Sequence, residues 1–309
     1  MQIYLPIAEI PVNIILVLLL GLATGFLAGM FGIGGGFIAT PLLMFIGIPP
    51  AIAVSTSANQ IIASSVSGLL ANLRKGSVDI KMGVFLVIGG LIGSTLGVSI
   101  FKILQKTGQI DITIALVYVI FLGSISVTML IDSIKTLVTN KYGVVWEENE
   151  SPNAQKFLNK INNLPWKVYF PKSDITVSVI VPIVLSLGIG VLVALMGIGG
   201  GFLMIPAMIY ILRMPSAVVV GTSLFQIVFI ASNATFLQAV TNNTVDIVLA
   251  FLMIISSAIG AQIGTRAGYK VDADSMRSFL SLLLLAVCVK MVITLLSEPQ
   301  SLYAIEILK

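Results

Sequence analysis

Two glycine runs and two polar clusters hold most of the groups in this chain that could bind or react. Gly32-Ile33-Gly34-Gly35-Gly36-Phe37 recurs 165 positions later as Gly197-Ile198-Gly199-Gly200-Gly201-Phe202, and Pro41 and Pro206 follow at the same offset. Glycine disfavours a helix interior by about 1 kcal/mol per residue, so three in succession predict a break. A break frees backbone N–H groups at the start of the next half-helix, and these with the helix dipole favour an anion. Phe37 and Phe202 open those half-helices. Close helix packing through small residues is the competing use of glycine in a membrane, but two copies at matched positions favour binding. Position 37 is phenylalanine, so the G-x-G-x-x-G nucleotide fingerprint is not met.

The polar clusters are also duplicated. Ser55, Thr56, Ser57, Asn59 and Gln60 lie in one apolar stretch, and Thr222, Ser223 and Gln226 in another. Gln60 follows Thr56 by four residues and Gln226 follows Ser223 by three, so each pair shares a helix face. Hydroxyl and amide donors can replace an anion's water without a fixed charge. The alternative for Ser and Thr is a bond to their own helix carbonyl, and for Asn and Gln a bond between helices. Asp79 and Asp246 open matched spans and read as helix N-caps. The chain has no histidine and one cysteine, Cys288. Zinc, haem, iron–sulfur and histidine-based catalysis therefore lack their usual groups, and neither a cofactor nor an enzyme is expected. No acidic residue falls at a span centre, so a coupling proton or sodium ion would have to use backbone or hydroxyl oxygens.

The elements that position these residues follow from composition. The 309 residues are 57% hydrophobic and 10% charged, with mean hydropathy +1.08. Apolar runs of about 20 residues without alternation predict membrane-spanning helices. The long runs are Val12–Met30, Ala51–Leu73, Val78–Phe101, Ile110–Ile131, Val177–Leu195, Ala217–Ala239, the stretch from Val245 through Gly260-x-x-x-Gly264, and Met276–Leu296. Phe37–Ile48 and Phe202–Leu212 are too short to cross alone. Val12–Met30 lacks a basic region before it and runs into the glycine motif, so it reads as a retained span. The expected architecture is an all-α polytopic membrane protein made of a first repeat (1–132), a linker (133–173) and a second repeat (174–309). In the linker, Ser151-Pro152 begins a possible interfacial helix carrying Phe157, Leu158 and Ile161. Trp166, Tyr169 and Phe170 fit an aromatic belt.

Loop charges orient the halves. If each half crosses five times, the halves are inverted. Thirteen basic residues then share the linker side, among them Arg74, Lys75, Lys81, Arg213 and Arg266, and two, Lys102 and Lys106, face the other. Four crossings per half give nine and six. The positive-inside rule favours inverted repeats, about ten membrane segments including two short broken half-helices, a cytoplasmic linker and termini outside.

The duplicated Gly-Ile-Gly-Gly-Gly-Phe runs with their prolines, and the Thr-Ser…Gln segments, resemble the TauE/SafE sulfite exporter family. The resemblance implies a cell inner-membrane transporter of small anions, such as sulfite or sulfonates. It places substrate at Gly34, Gly35, Gly36, Thr56, Ser57 and Gln60, opposite Gly199, Gly200, Gly201, Thr222, Ser223 and Gln226, and the half-helix starts and polar clusters add Phe37, Phe202 and Asn59 to the candidate site. Alternating access of one repeat against the other is the expected mechanism. An anion channel and a membrane assembly scaffold are the alternatives. The lipid bilayer and a small anion are the expected partners, and spread basic residues give no nucleic-acid stripe.

Overall fold

The computed structural model describes residues 2–31, 36–142, 165–268 and 273–296. Gly32 to Gly35 and the 151–161 stretch of the linker lie outside the described residues.

A β-hairpin opens the chain, with β1 (Gln2–Leu5) antiparallel to β2 (Ile10–Asn13). Five helices follow: α1 (Ile14–Phe31), α2 (Gly36–Phe45), α3 (Pro50–Arg74), α4 (Ile80–Lys106) and α5 (Ile110–Tyr142). A second hairpin pairs β3 (Lys167–Phe170) with β4 (Ile175–Ser178). Then come α6 (Ile180–Met196), α7 (Gly201–Tyr210), α8 (Ser216–Leu237), a π-helical turn (Gln238–Asn242), α9 (Ile247–Gly268) and α10 (Ala273–Leu296). The chain is an all-α membrane protein apart from the two hairpins. Among the described residues six helices are long and apolar enough to cross a bilayer: α1, α4, α5, α8, α9 and α10. The 25-residue α3 would reach about 37 Å, also enough to cross. Its run from Ser55 to Gln60 lowers its hydropathy, and Ser55, Thr56, Ser57 and Gln60 are buried.

The chain forms two compact units. The first takes Met1–Ile114 and Trp146–Asp272, and so draws on both sequence halves. The second takes Ala115–Val145 and Ala273–Lys309. In the second, Cys288 Sγ on α10 lies 3.6 Å from Val119 O on α5.

In the first unit, helices pack across the halves through glycine. A Cβ added at Gly25 or Gly29 on α1 would overlap the backbone of Ser257 or Ala261 on α9. Gly89 and Gly93 on α4 meet Ile183 and Leu187 on α6 in the same way. Contact positions climb together in both pairs, so each pair is parallel. Backbones this close gain dispersion that lipid cannot offer equally. Gly93→Leu is accordingly expected to cost about 3 kcal/mol by overpacking, whereas Leu96→Ala, half-exposed on the same helix, stays within about 0.5 kcal/mol. Thermal unfolding of the purified protein in detergent checks both.

At the centre, α3 and α8 run antiparallel: Ser55 meets Thr244, Gly68 meets Leu224, and Gly221 meets Ser77. Helix α2 starts beside Ile61, near the middle of α3. It ends among Leu5, Val17, Leu43, Ile48, Ile52 and Leu249, a core formed where α1 and α3 begin. Its ten residues span about 15 Å, half a bilayer core. The α1–α2 pair therefore begins and ends at one end of the unit. Helix α7 does likewise at the other end, where Phe170, Val181, Met208, Leu212 and Val218 cluster. Phe170 is fully buried there, which corrects its expected place in an aromatic belt; Trp166 and Tyr169 are exposed.

The hairpins continue the 165-residue repeat. Gln2 pairs with Asn13 and Lys167 with Ser178. Glu9 and Asp174 both adopt left-handed backbone, with φ of 54° and 50°. Each hairpin tip reaches an aspartate of the opposite half. Ile7 N and Ala8 N donate to Asp246 Oδ2, and Ser173 Oγ donates to Asp79 Oδ2 at 2.6 Å. Both aspartates also cap their helices, as the sequence predicts: Met82 N donates to Asp79 and Leu249 N to Asp246, each at 3.0 Å. At the second tip, Tyr169 Oη donates to Asp174 at 2.8 Å. That bond, with the carboxylate's charge, holds the phenol proton and raises its pKa.

Candidate functional site

The starts of the two short helices meet. Phe37 and Phe202, the second residues of α2 and α7, stack with ring centroids 4.8 Å apart and planes within 12°. Aromatic stacking at this range adds about 1 kcal/mol beyond burial. Gly36 lies against Gly197 O and Ile61, and Gly199 also lies against Ile61. Sequence positions 165 residues apart are thus adjacent in space.

The second glycine run shows how the break is built. Gly197, Gly199 and Gly200 have φ of 64°, 79° and 74°, left-handed values that side-chain-bearing residues resist. Gly197 N closes α6 on Val193 O at 2.8 Å, and Gly200 O then accepts from Met204 N at 2.8 Å. Between these bonds the N–H groups of Ile198 through Phe202 have no acceptor among the described residues, although all five residues are buried. Buried N–H groups are rarely left unpaired, and successive ones in turn conformations form an anion-binding concavity. Of the first run, Gly34 and Gly35 lie outside the described residues, while Gly36 and Phe37 are in place.

The polar clusters divide by use. Thr56 Oγ1 accepts from Asp246 N at 3.1 Å and Thr222 Oγ1 from Asp79 N at 2.9 Å. These hydroxyls join the halves beside the hairpin tips rather than at the Phe37–Phe202 stack. Ser223 bonds Val220 O in its own helix. Asn59 is half-buried, and its Nδ2 lies 3.4 Å from Thr56 O. Ser57 Oγ lies 2.6 Å from Thr40 Oγ1 of α2 and faces Gly197, so it does join the site. Gln60 Nε2 donates to Thr24 Oγ1 of α1 at 2.7 Å, and Gln226 Nε2 to Ser186 Oγ of α6 at 2.8 Å. Both glutamines are buried next to Ile61 and Ile227, which share one cluster on the α3–α8 seam.

Sequence reasoning passed over Thr24, Thr40 and Ser186. Single hydroxyls in apolar helices carry little signal until a partner helix faces them. It also passed over the hairpins, although Tyr4-Leu5-Pro6 and Tyr169-Phe170-Pro171 repeat at the same 165-residue spacing and mark them. Among the described residues no three His, Cys, Asp or Glu side chains group as for a metal.

The family described as Sulfite exporter TauE/SafE matches residues 17–291. "Probable membrane transporter protein YunE" of Bacillus subtilis is 25% identical over 285 residues, covering 89% of this chain and 96% of that protein. "Probable membrane transporter protein YjnA" of the same organism is 26% identical, covering 89% and 98%. "Sulfite exporter TauE/SafE family protein 1" of Arabidopsis thaliana is 28% identical over a shorter stretch, 33% of this chain and 23% of that protein. No solved structure matches the chain. With a family match running from α1 into α10 over both glycine runs, the chain belongs to the sulfite exporter TauE/SafE family of membrane transporters.

Proposed function

We propose that this transporter moves a small sulfur-containing oxyanion by alternating access, with the anion held where the starts of α2 and α7 meet. The observation that carries the reading is the Phe37–Phe202 stack beside buried N–H groups that have no acceptor among the described residues. Two positive helix ends then act on one charge, in a setting of low dielectric where each is worth more than in water. Gly199 to Phe202, Gly36, Phe37, Ser57, Gln60 and Gln226 form the binding set. Thr56, Thr222, Ser223 and Asn59 shape the helices around it.

The halves are inverted in this reading, as the loop charges favour, but by a different count. The α1–α2 and α6–α7 pairs enter and return at opposite ends, leaving three crossing helices in each half. The turn after α3 and the second hairpin share one end, since Lys172 Nζ donates to Gly76 O and Lys81 Nζ to Tyr169 O. With Arg74, Lys75 and Arg213 near that end, it is the cytoplasmic one, and the first hairpin lies outside.

Proteoliposomes holding the purified protein should take up radiolabelled sulfite or a sulfonate with saturation. Gln60→Ala should weaken uptake roughly tenfold. Currents at channel-like rates with no saturation would replace the carrier with a channel, and no anion flux at all would remove the reading.

A further inference from the structure

Gln60 and Gln226 are 0% and 1% exposed, each the eleventh residue of its helix. Their amide orientation is dictated by neighbours. Thr24 Oγ1 gives its one proton to Leu20 O at 2.8 Å, and Ser186 Oγ gives its own to Leu86 O. A hydroxyl whose proton is spent can only accept, so each glutamine must turn its NH2 towards it. Oε1 of Gln60 and of Gln226 is then left buried with no hydrogen-bond partner among the described residues. A buried carbonyl oxygen without a donor is costly. Here it occurs in both halves at corresponding positions. Ile61, next to Gln60, touches Gly36 and Gly199, and Ser57, three residues before Gln60 on the same helix face, lies against Gly197, so Gln60 sits on the stretch of α3 that borders the break.

We propose that these two oxygens read a hydrogen-bond donor on the transported anion. The substrate is then a small oxyanion that carries its own proton or N–H, such as hydrogen sulfite or an aminosulfonate. This rests on the anion-transport reading above. The backbone N–H groups of Gly199 to Phe202 take the charged oxygens, and the glutamine oxygens take the donor. A bare cation is a poorer match, because it needs several oxygens at one point and each glutamine offers one. A proton carried on the substrate crosses with it, so a proton-coupled cycle needs no carboxylate relay at the span centres. An anion without a donor leaves the glutamine oxygens unpaired and loses roughly tenfold in affinity for each.

Calorimetry on the full chain in nanodiscs, with hydrogen sulfite, aminomethanesulfonate and methanesulfonate, tests this. The first two should bind at least roughly tenfold more tightly than methanesulfonate, which has no donor. Affinity for sulfite should fall as pH rises through its second ionisation, while methanesulfonate binding stays level. In the Gln60→Leu/Gln226→Leu variant the preference for hydrogen sulfite and aminomethanesulfonate over methanesulfonate should vanish. If that variant does not fold, Thr24→Val/Gln60→Leu removes one whole pair, and the wild-type series needs no variant. Equal binding of methanesulfonate and hydrogen sulfite by the wild type, or a preference that survives loss of both glutamines, overturns the proposal and leaves anion transport standing. Failure of all three anions to bind overturns both.

Discussion

Asp246→Ala should lower stability by at least about 3 kcal/mol, more than Asp79→Ala. Asp246 is fully buried and accepts from three backbone N–H groups: Ile7, Ala8 and Leu249. Each buried donor stripped of its partner costs about 1–3 kcal/mol, and the loss of a helix cap adds to this. Backbone donors cannot turn away to find another acceptor. Asp79 accepts from Met82 N and from the Ser173 hydroxyl, and a hydroxyl can rotate. Its loss is therefore smaller, and Ser173→Ala alone should cost about 1 kcal/mol. Thermal unfolding in detergent ranks the three variants. Equal shifts for Asp246→Ala and Ser173→Ala would mean that the first hairpin is not anchored by Asp246. Because each hairpin is tied to a helix of the other half, loosening one aspartate should loosen that end of the molecule. Hydrogen exchange at Ile7 and Ala8 reports this directly.

Gly200→Val should abolish transport. Gly200 has φ of 74°, and an added Cβ would lie 2.8 Å from Val193 Cγ2 and 3.0 Å from Ile189 Cγ2. Left-handed backbone alone costs a residue with Cβ about 1–2 kcal/mol, and the contacts prevent simple accommodation. The break must shift, and with it the N–H groups at the start of α7. A displacement of about 1 Å is enough to lower rates about 100-fold in a positioned site. Gly188→Val is the matched control. A Cβ there meets nothing within 4 Å, so transport should be retained. Uptake by Gly200→Val at the wild-type rate would dissociate the glycine run from function.

The sequence alone determined the membrane class, the duplication and the candidate breaks. Those properties are local: long apolar runs bury backbone in lipid, consecutive glycines weaken a helix, and identical motifs recur at one spacing. Asp79 and Asp246 were legible as caps for the same reason, since a cap acts within one turn. Tertiary structure decided everything that depends on a partner helix. Thr56 and Thr222 looked like ligands but bind the N–H groups of Asp246 and Asp79 in the opposite half. Thr24 and Ser186 looked like nothing until Gln60 and Gln226 reached them. The halves do not stand side by side: α1 lies along α9 and α4 along α6, where glycine faces allow backbones to touch. That interleaving brings Phe37 onto Phe202 and sets the starts of the two half-helices against each other. A motif can specify that a helix must break; where the freed N–H groups point depends on which helices close around them.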